Sequence, residues 1–465
     1  MGSTLGCRAM VDSGIFKAYD VRGIHGDEID EDVAYRLGRG FARVLGELEG
    51  KPPAELRIGL GRDMRLAAPA LSERYADGMR DEGASVLDIG EVGTEMLYFT
   101  VGSRGLDGGL MCTASHNPKA YTGAKLVRSG AIALSGDSGI GELREIVMAG
   151  DPGPPADARG GYERLDVADD FQTAASAFVD LDSIRPMKVV LDGGNGMAGP
   201  MAGPILDRLP IEQVQTYWTP DGNFPDHEPN PLLPENRRFI VEKVLSEGAE
   251  LGIAWDGDAD RCFFIDDTGQ FVDGDFLTAL LAQSIVEKEP GASILYDVRA
   301  SRAVPDMVTQ AGGTAHVNRV GHAFFKTRMR SEGAAFGGEV SGHYYFRDFY
   351  CADSGTVPAL LILELLSARG KRMSELLGPL RERYFISGEI NSEVEDGEAK
   401  MQELAETYSQ GAVSWLDGVS VDFDDWHFNV RPSNTEPLLR LNLESVVSPD
   451  HMVEKRDEVL GIIRA

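Results

Sequence analysis

Three times in this chain a short apolar segment runs into a polar loop containing glycine: "GLMCTASHNP" (109–118), "LGIAWDGDADR" (251–261) and "AAFGGEVSGH" (334–343). The repeat is one of organisation rather than of sequence, and it narrows the fold. In open α/β sheets, ligands sit beyond the carboxyl ends of the strands, so three such domains can turn three loops toward one cleft. The sequence between the loops agrees. Val33, Leu37, Phe41, Val44, Leu45 and Leu48 recur at helical spacing behind Asp30, a predicted N-cap. Strand-like "LRIGLG" (56–61), a helical 69–82 ending at Gly83, and "SVLDIG" (85–90) follow. This βαβ alternation predicts a mostly parallel sheet covered by helices. It restarts at "MKVVLDGGNG" (187–196), and "SILYDV" (293–298) lies in a third unit. From about 378 the pattern changes: "WHFNVRPSNTEPLLRLNLES" (426–445) reads as two strands joined by a turn, in a smaller α+β unit.

Length and charge bound the rest. The 465 residues are too many for one ordinary core and suggest about three or four domains. A hydrophobic share of 42% beside 26% charged residues is that of a soluble globular protein. The longest apolar run, "ALLIL" (359–363), stops at Glu364, far short of a membrane span, so no membrane partner is expected. "MGSTLGCRAM" has no apolar core of a signal peptide. Cysteines 7, 112, 262 and 351 are widely spaced without a CxxC, which predicts reduced thiols in a cytoplasmic protein. The net charge of −30 argues against nucleic acid. If the ligand is an anion, the few Arg, Lys and His residues must be concentrated locally.

"DGDADR" places Asp256, Asp258 and Asp260 on one short turn, where they would repel strongly without a cation among them. All-oxygen donors point to Mg²⁺ or Ca²⁺. An EF-hand is excluded, since its sixth position here is Arg261 instead of Gly and its twelfth is Asp267 instead of Glu. Ser115 reads as nucleophile, N-cap or turn residue, and its neighbour His116 does not decide between them. "RPSNTEP" gathers Arg431, Ser433, Asn434 and Thr435 in a turn suited to a phosphate or carboxylate. "GGEVSGH" offers Glu339, Ser341 and His343 at alternate positions, which an extended loop would direct to one side. A formal dinucleotide fingerprint, "GNGMAG" (194–199) with Asp221 beyond it, is weakened by Pro200 and Pro204 in the expected helix.

The order and chemistry of these loops resemble the α-D-phosphohexomutase family, and within it the bacterial phosphomannomutase/phosphoglucomutase type. The resemblance runs from "FKAYDVRG" (16–23) to "RPSNTEP". It implies three related α/β domains with mixed sheets (1–160, 161–267, 268–372) and a smaller α+β domain (373–465) around a central cleft. A hinge is expected near 369–380. It implies that Ser115 carries a phosphoryl group, balanced by Mg²⁺ on Asp256, Asp258, Asp260 and a phosphoryl oxygen. Arg22, His116, Lys125 and His343 would line the chemistry, with Lys125 or His343 as general acid/base. Arg431, Ser433, Asn434 and Thr435 would hold the phosphate not being transferred. Glu339 and Ser341 would hold sugar hydroxyls, Arg261, Arg299, His322 and Lys326 would add positive charge, and Tyr19 would shape the cleft. The implied enzyme is a monomer that interconverts sugar 1- and 6-phosphates, with a sugar 1,6-bisphosphate as intermediate and activator. Phosphoglucosamine mutases are the nearest rival, usually with Gln at the position of Val340 and Ser at that of Thr113. A phosphatase using the same serine is the alternative from another class.

Overall fold

The computed structural model describes residues 11–136, 138–150, 153–433 and 438–465. The first ten residues, where a signal peptide was not expected, lie outside the described residues, as do Asn434 and Thr435.

Four sheets follow one another along the chain. In the first, Arg57–Arg62 lies between the parallel strands Ser85–Glu91 and Gly108–Cys112. Tyr121–Arg128 then returns antiparallel against Gly108–Cys112, and Asp20–Ile24 pairs antiparallel on its far side. The second sheet repeats this plan. Lys188–Asp192, Glu212–Thr216 and Leu251–Trp255 are parallel, and Cys262–Asp266 returns on the last of them. In the third, Ser293–Asp297, Thr314–Asn318 and Phe336–Gly338 are parallel, and Tyr344–Phe346 returns. Each of these three sheets is mixed, as the family resemblance implied: parallel strands form its body, and the strand entering each polar loop is followed by an antiparallel partner. Ladder hydrogen bonds on both sides fix both ends of the loop at a hairpin tip.

The fourth sheet is antiparallel throughout, and its long strands Trp426–Pro432 and Leu438–Ser445 are the pair read from the sequence. Helices Gly397–Thr407 and Pro449–Ile463 cover it through Leu404, Val459 and Ile463.

Local chemistry explains the helices. In Glu31–Glu49 the Asp30 carboxylate accepts from the Val33 N–H at 2.8 Å, and Gly50 closes the helix at φ +65°. Leu37, Phe41, Val44 and Leu45 form its buried stripe. Helix Thr94–Ser103 is different: residues 94–101 are all buried, because it is wedged between domains. Its Glu95 accepts from the hydroxyls of Ser354 and Thr356 in the third domain. One continuous core joins the first three sheets, with Leu97, Ile253, Trp255, Phe276 and Phe336 in it, while the fourth has its own around Phe428, Val430 and Leu441.

Two details differ from the boundaries read above. Strand Tyr162–Arg164 pairs with Ser85–Glu91, so the first sheet extends past residue 160. Helix Met373–Arg381 buries Met373, Leu377 and Leu380 in the shared core, and the chain crosses to the fourth sheet after it. Among the described residues no helix is long and apolar enough to cross a membrane, and Cys112, Cys262 and Cys351 are free and buried.

Candidate active site

Ser115 stands just beyond strand Gly108–Cys112, in a turn rather than at a helix N-cap. Its φ of +51° lies in the left-handed region, which costs an ordinary residue about 1–2 kcal/mol. Surrounding bonds hold it there. The Ser115 N–H donates to Thr113 Oγ1 at 2.8 Å, and that hydroxyl donates to Asp63 at 2.6 Å. The Arg65 guanidinium, paired with Asp63, donates to the carbonyls of Ser115, Asn117, Pro118 and Tyr121 at 2.7–3.0 Å. The result is a serine only 3% exposed whose Oγ donates to Asp256 at 3.0 Å and lies 3.2 Å from His116 Nδ1.

Asp256, Asp258 and Asp260 occupy the hairpin tip between Leu251–Trp255 and Cys262–Asp266, all buried, with carboxylate oxygens within 4.8 Å of one another. Lys125 binds Asp258 at 2.6 Å and also Asp260. Arg261 binds Asp256 at 2.7 and 2.9 Å, and the Thr94 hydroxyl donates to Asp258. Burial, with Asp258 beside it, pushes the Asp260 carboxyl well above the usual range. Burial alone would lower the Lys125 pKa, but Asp258 and Asp260 raise it well above the ordinary ammonium value. Asp258 Oδ1 and Asp260 Oδ1 are buried without a hydrogen-bond partner among the described residues. Two orphaned oxygens in a cluster of three carboxylates fit a hard divalent cation.

A cavity of about 420 Å³ opens beside this centre, within the usual range for small-ligand sites. It brings together Ser115, His116, Arg22, Lys125, Arg261, His322, His343 and Tyr19. Arg22 is oriented by Asp20 and by Asn117 Oδ1, at 2.8 and 2.7 Å. Tyr19 and His322 meet edge to face at 4.8 Å. Burial and neighbouring cations lower all three imidazoles: Arg261 acts on His116 and His343, and Lys326 on His322, which falls to about 4. Near pH 7 the cavity's positive charge therefore comes from Arg and Lys, and its histidines are neutral.

The remaining expected residues lie outside that cavity. Lys326 is fully buried, 2.7 Å from Asp353, and it is Asp353 that lines the cavity. Residues 339–343 form a tight turn rather than the extended loop expected, because the Glu339 N–H donates to the His343 carbonyl at 3.0 Å and Gly342 sits at φ +89°. The turn still gathers the three side chains, with His343 Nδ1 3.2 Å from Ser341 Oγ and 3.9 Å from Glu339. Glu339 accepts from the Gly321 N–H at 2.8 Å and from the Tyr345 hydroxyl.

Arg299 and Arg431 share Glu389, at 3.6 and 3.2 Å, with Arg440 at 3.0 Å on the same carboxylate. Arg440 also donates to Ser433 Oγ at 3.3 Å. Arg299 is paired more closely with Asp297, at 2.7 Å, and the buried Nε atoms of Arg431 and Arg440 have no hydrogen-bond partner among the described residues. Arg299 lies 4.0 Å from Glu339, so this cluster adjoins the 339–343 turn.

The "GNGMAG" turn has a different task from a dinucleotide. A Cβ on Gly196 would meet the Gly257 carbonyl at 2.6 Å, and the Met197 N–H donates to the same oxygen at 2.9 Å. The turn is packed against the aspartate loop, and Asp221 is occupied capping Asn223.

Sequence reasoning missed Arg65, Thr94, Asp353, Glu389 and Arg440. Arg65 carried a faint signal, in "GRDMR", two residues past an Asp at a strand end. Glu389 carried none, since its role comes from three arginines distant in sequence.

Profiles of phosphoglucomutase/phosphomannomutase alpha/beta/alpha domains I, II and III match residues 13–151, 169–269 and 273–384, and that of the C-terminal domain matches 389–462. A phosphomannomutase of Salmonella montevideo is 43% identical over 458 residues, 97% of this chain and 99% of its own. One of Escherichia coli K12 is 44% identical over 439 residues, 92% and 94% of the two chains. The crystal structure of a phosphoglucomutase/phosphomannomutase family protein from Burkholderia thailandensis superposes with a TM-score of 0.88 at 33% identity, covering 97% of each chain.

Proposed function

This chain belongs to the phosphoglucomutase/phosphomannomutase family of α-D-phosphohexomutases and is a phosphohexomutase; from that premise we propose that it interconverts mannose 1-phosphate and mannose 6-phosphate, and the glucose pair, through a phosphoserine at Ser115 and a 1,6-bisphosphate intermediate. The observation that carries this reading is the Ser115 hydroxyl, which donates to Asp256 at 3.0 Å inside a buried, cation-lined cavity. The similarity to phosphomannomutases supports the choice of sugar.

Asp256, Asp258 and Asp260, with a phosphoryl oxygen on Ser115, would hold Mg²⁺. The ion, when bound, neutralises charge on the transferring phosphoryl group. The chain's own residues do the rest. Arg22 and Arg261 are fixed by Asp20 and Asp256 beside Ser115, where they meet phosphoryl oxygens without reorganisation. As the bond from phosphorus to Ser115 Oγ breaks, a bond forms from phosphorus to the sugar hydroxyl, and that hydroxyl loses its proton. His343, which lines the same cavity as Ser115, would take the proton. Lys125, locked between two carboxylates, acts as a fixed cation. A proton returns to Ser115 Oγ, which ends as the hydroxyl bonded to Asp256. The bisphosphate then turns end for end, and its other phosphoryl group returns to Ser115. Arg431 and Ser433, with Arg299 and Arg440, would hold the phosphate not in transit, and Glu339 and Ser341 the hydroxyls between.

A ³¹P NMR time course tests the reading. With Mg²⁺ and trace glucose 1,6-bisphosphate, mannose, glucose and glucosamine 1-phosphates are supplied in separate tubes. Growth of 6-phosphate resonances, fastest for mannose or glucose, is expected. Inorganic phosphate alone would make the enzyme a phosphatase, and fastest conversion of glucosamine phosphate would replace the substrate.

A further inference from the structure

The loop after strand Glu212–Thr216, residues 217–233, has no part in the chemistry described so far, yet it packs against Met64, Arg65 and Gly257 beside the Ser115 turn. His227 Nε2 lies 3.1 Å from Asp192 Oδ2 and its Nδ1 lies 2.8 Å from the Glu228 carbonyl. Both ring nitrogens face oxygen acceptors, and only a doubly protonated imidazole can donate to both. Asp192 is buried at the end of strand Lys188–Asp192 and also accepts from the Gly194 N–H at 3.0 Å. The loop is therefore tied to the sheet through an imidazolium–carboxylate pair.

From that anchor the loop reaches into the first domain. A Cβ on Gly222 would meet the Met64 carbonyl at 2.5 Å, so the two backbones are in direct contact. The Phe224 ring lies 5.2 Å from the Arg65 guanidinium, the group that grips four carbonyls of the Ser115 turn. A Cβ on Gly257 would meet both the Ser115 carbonyl oxygen, at 2.5 Å, and Pro229 Cγ, at 3.1 Å, so Pro229 and the Ser115 backbone both crowd the same face of Gly257.

We propose that loop 217–233 is a clamp that positions the Ser115 turn, with His227 as its protonation-dependent pin and Phe224 and Pro229 as its jaws. This rests on Ser115 being the phosphoryl carrier. His227 is a positioning residue acting through Arg65 and Gly257, and it touches no reacting atom. The charged and titratable groups facing it are Asp192 and Asp226, with Tyr217 edge to face at 5.2 Å. Burial lowers the His227 pKa, but Asp192 and the Glu228 carbonyl reverse that and leave it raised. The pin is thus in place at low pH and withdraws as pH rises through the raised value.

The test compares kcat of the full-length enzyme and of His227→Ala across pH, with Ser115→Ala alongside. The wild-type to variant ratio is expected to be about tenfold near pH 6, with KM within about twofold, and to collapse toward one near pH 9 as the wild type loses its own pin. A ratio that stays large at all pH values would mean simple packing and overturn the pin, and a ratio near one throughout would overturn the clamp. Should His227→Ala not fold, ¹⁵N spectra of the wild-type ring decide: a neutral single tautomer near pH 6 refutes the proposal. Activity surviving in Ser115→Ala would instead refute the serine reading, independently of the ring's protonation.

Discussion

The Arg65 guanidinium donates to the backbone carbonyl of Ser115 across 2.8 Å, and reaches three further carbonyls of the same turn. A planar fork can do this while its Nε faces Asp63, whereas an ammonium is a single point. Arg65→Lys is expected to lower kcat by about 10–100-fold and leave KM nearly unchanged, because the turn shifts while the arginine cluster on Glu389 does not. It also leaves buried acceptors unmet, costing about 2–4 kcal/mol in thermal or urea unfolding. An unchanged kcat would show that the turn keeps its geometry without the fork.

Arg431 belongs to the arginine cluster on Glu389 rather than to the serine centre. Arg431→Ala is expected to raise KM for sugar phosphates about 10–100-fold, the worth of one charge-assisted contact, with a smaller change in kcat. Arg299 and Arg440 remain to satisfy Glu389, so the fold should hold. Steady-state kinetics separate the two constants, and an equal loss in kcat alone would remove Arg431 from substrate binding.

The three buried aspartates repel one another and gain a counter-charge when a cation binds. Chelation is expected to abolish turnover and Mg²⁺ to restore it. Mg²⁺ at about a hundred times its Kd should also stabilise the chain by about 3 kcal/mol, read as a rise in Tm. Asp258→Asn should lose both effects. A Tm unmoved by Mg²⁺ while activity persists would argue against the aspartate loop as the site.

Glu95 gives the domain junction a pH dependence. Burial raises its pKa to about 7, against the lowering effect of the Ser354 and Thr356 hydroxyls. A carboxyl raised in the folded state favours folding when protonated, so its contribution is lost as pH climbs from the unfolded value toward about 7. That loss is about 3 kcal/mol. Glu95→Gln should flatten the fall in urea-unfolding stability between about pH 5 and pH 8. An identical pH profile in the variant would show that the carboxylate is already ionised at acid pH.

Much of the fold was legible because its signals are local. The stripe Leu37, Phe41, Val44 and Leu45 and its Asp30 cap lie within one helix, and the alternation of strand and helix marked the first three domains. The antiparallel returns were not legible from periodicity, since Tyr121–Arg128 carries the same apolar character whichever way it runs. The site divided in the same way. The three aspartates stand out because they are concentrated in one short loop, whereas Ser115 taken alone reads as nucleophile, N-cap or turn residue and takes its expected role only from the family resemblance. Arg65, Glu389 and Asp353 act only through partners far along the chain, and Lys326 reads as a substrate cation until its burial against Asp353 is seen. The 339–343 segment was read as extended from alternation alone, and the Glu339 to His343 backbone bond made it a turn.

The most direct measurement is the mass of the Ser115 tryptic peptide from enzyme incubated with Mg²⁺ and glucose 1,6-bisphosphate, followed by a chase with mannose 1-phosphate. The expected result is a single added phosphoryl group on Ser115, labelled with ¹⁸O from the bisphosphate, whose label passes to mannose 6-phosphate during the chase while an unlabelled phosphoryl group takes its place, with none in Ser115→Ala. Full turnover with Ser115 unmodified throughout, or with the phosphoryl group on another residue, would contradict the assignment of Ser115 as the carrier.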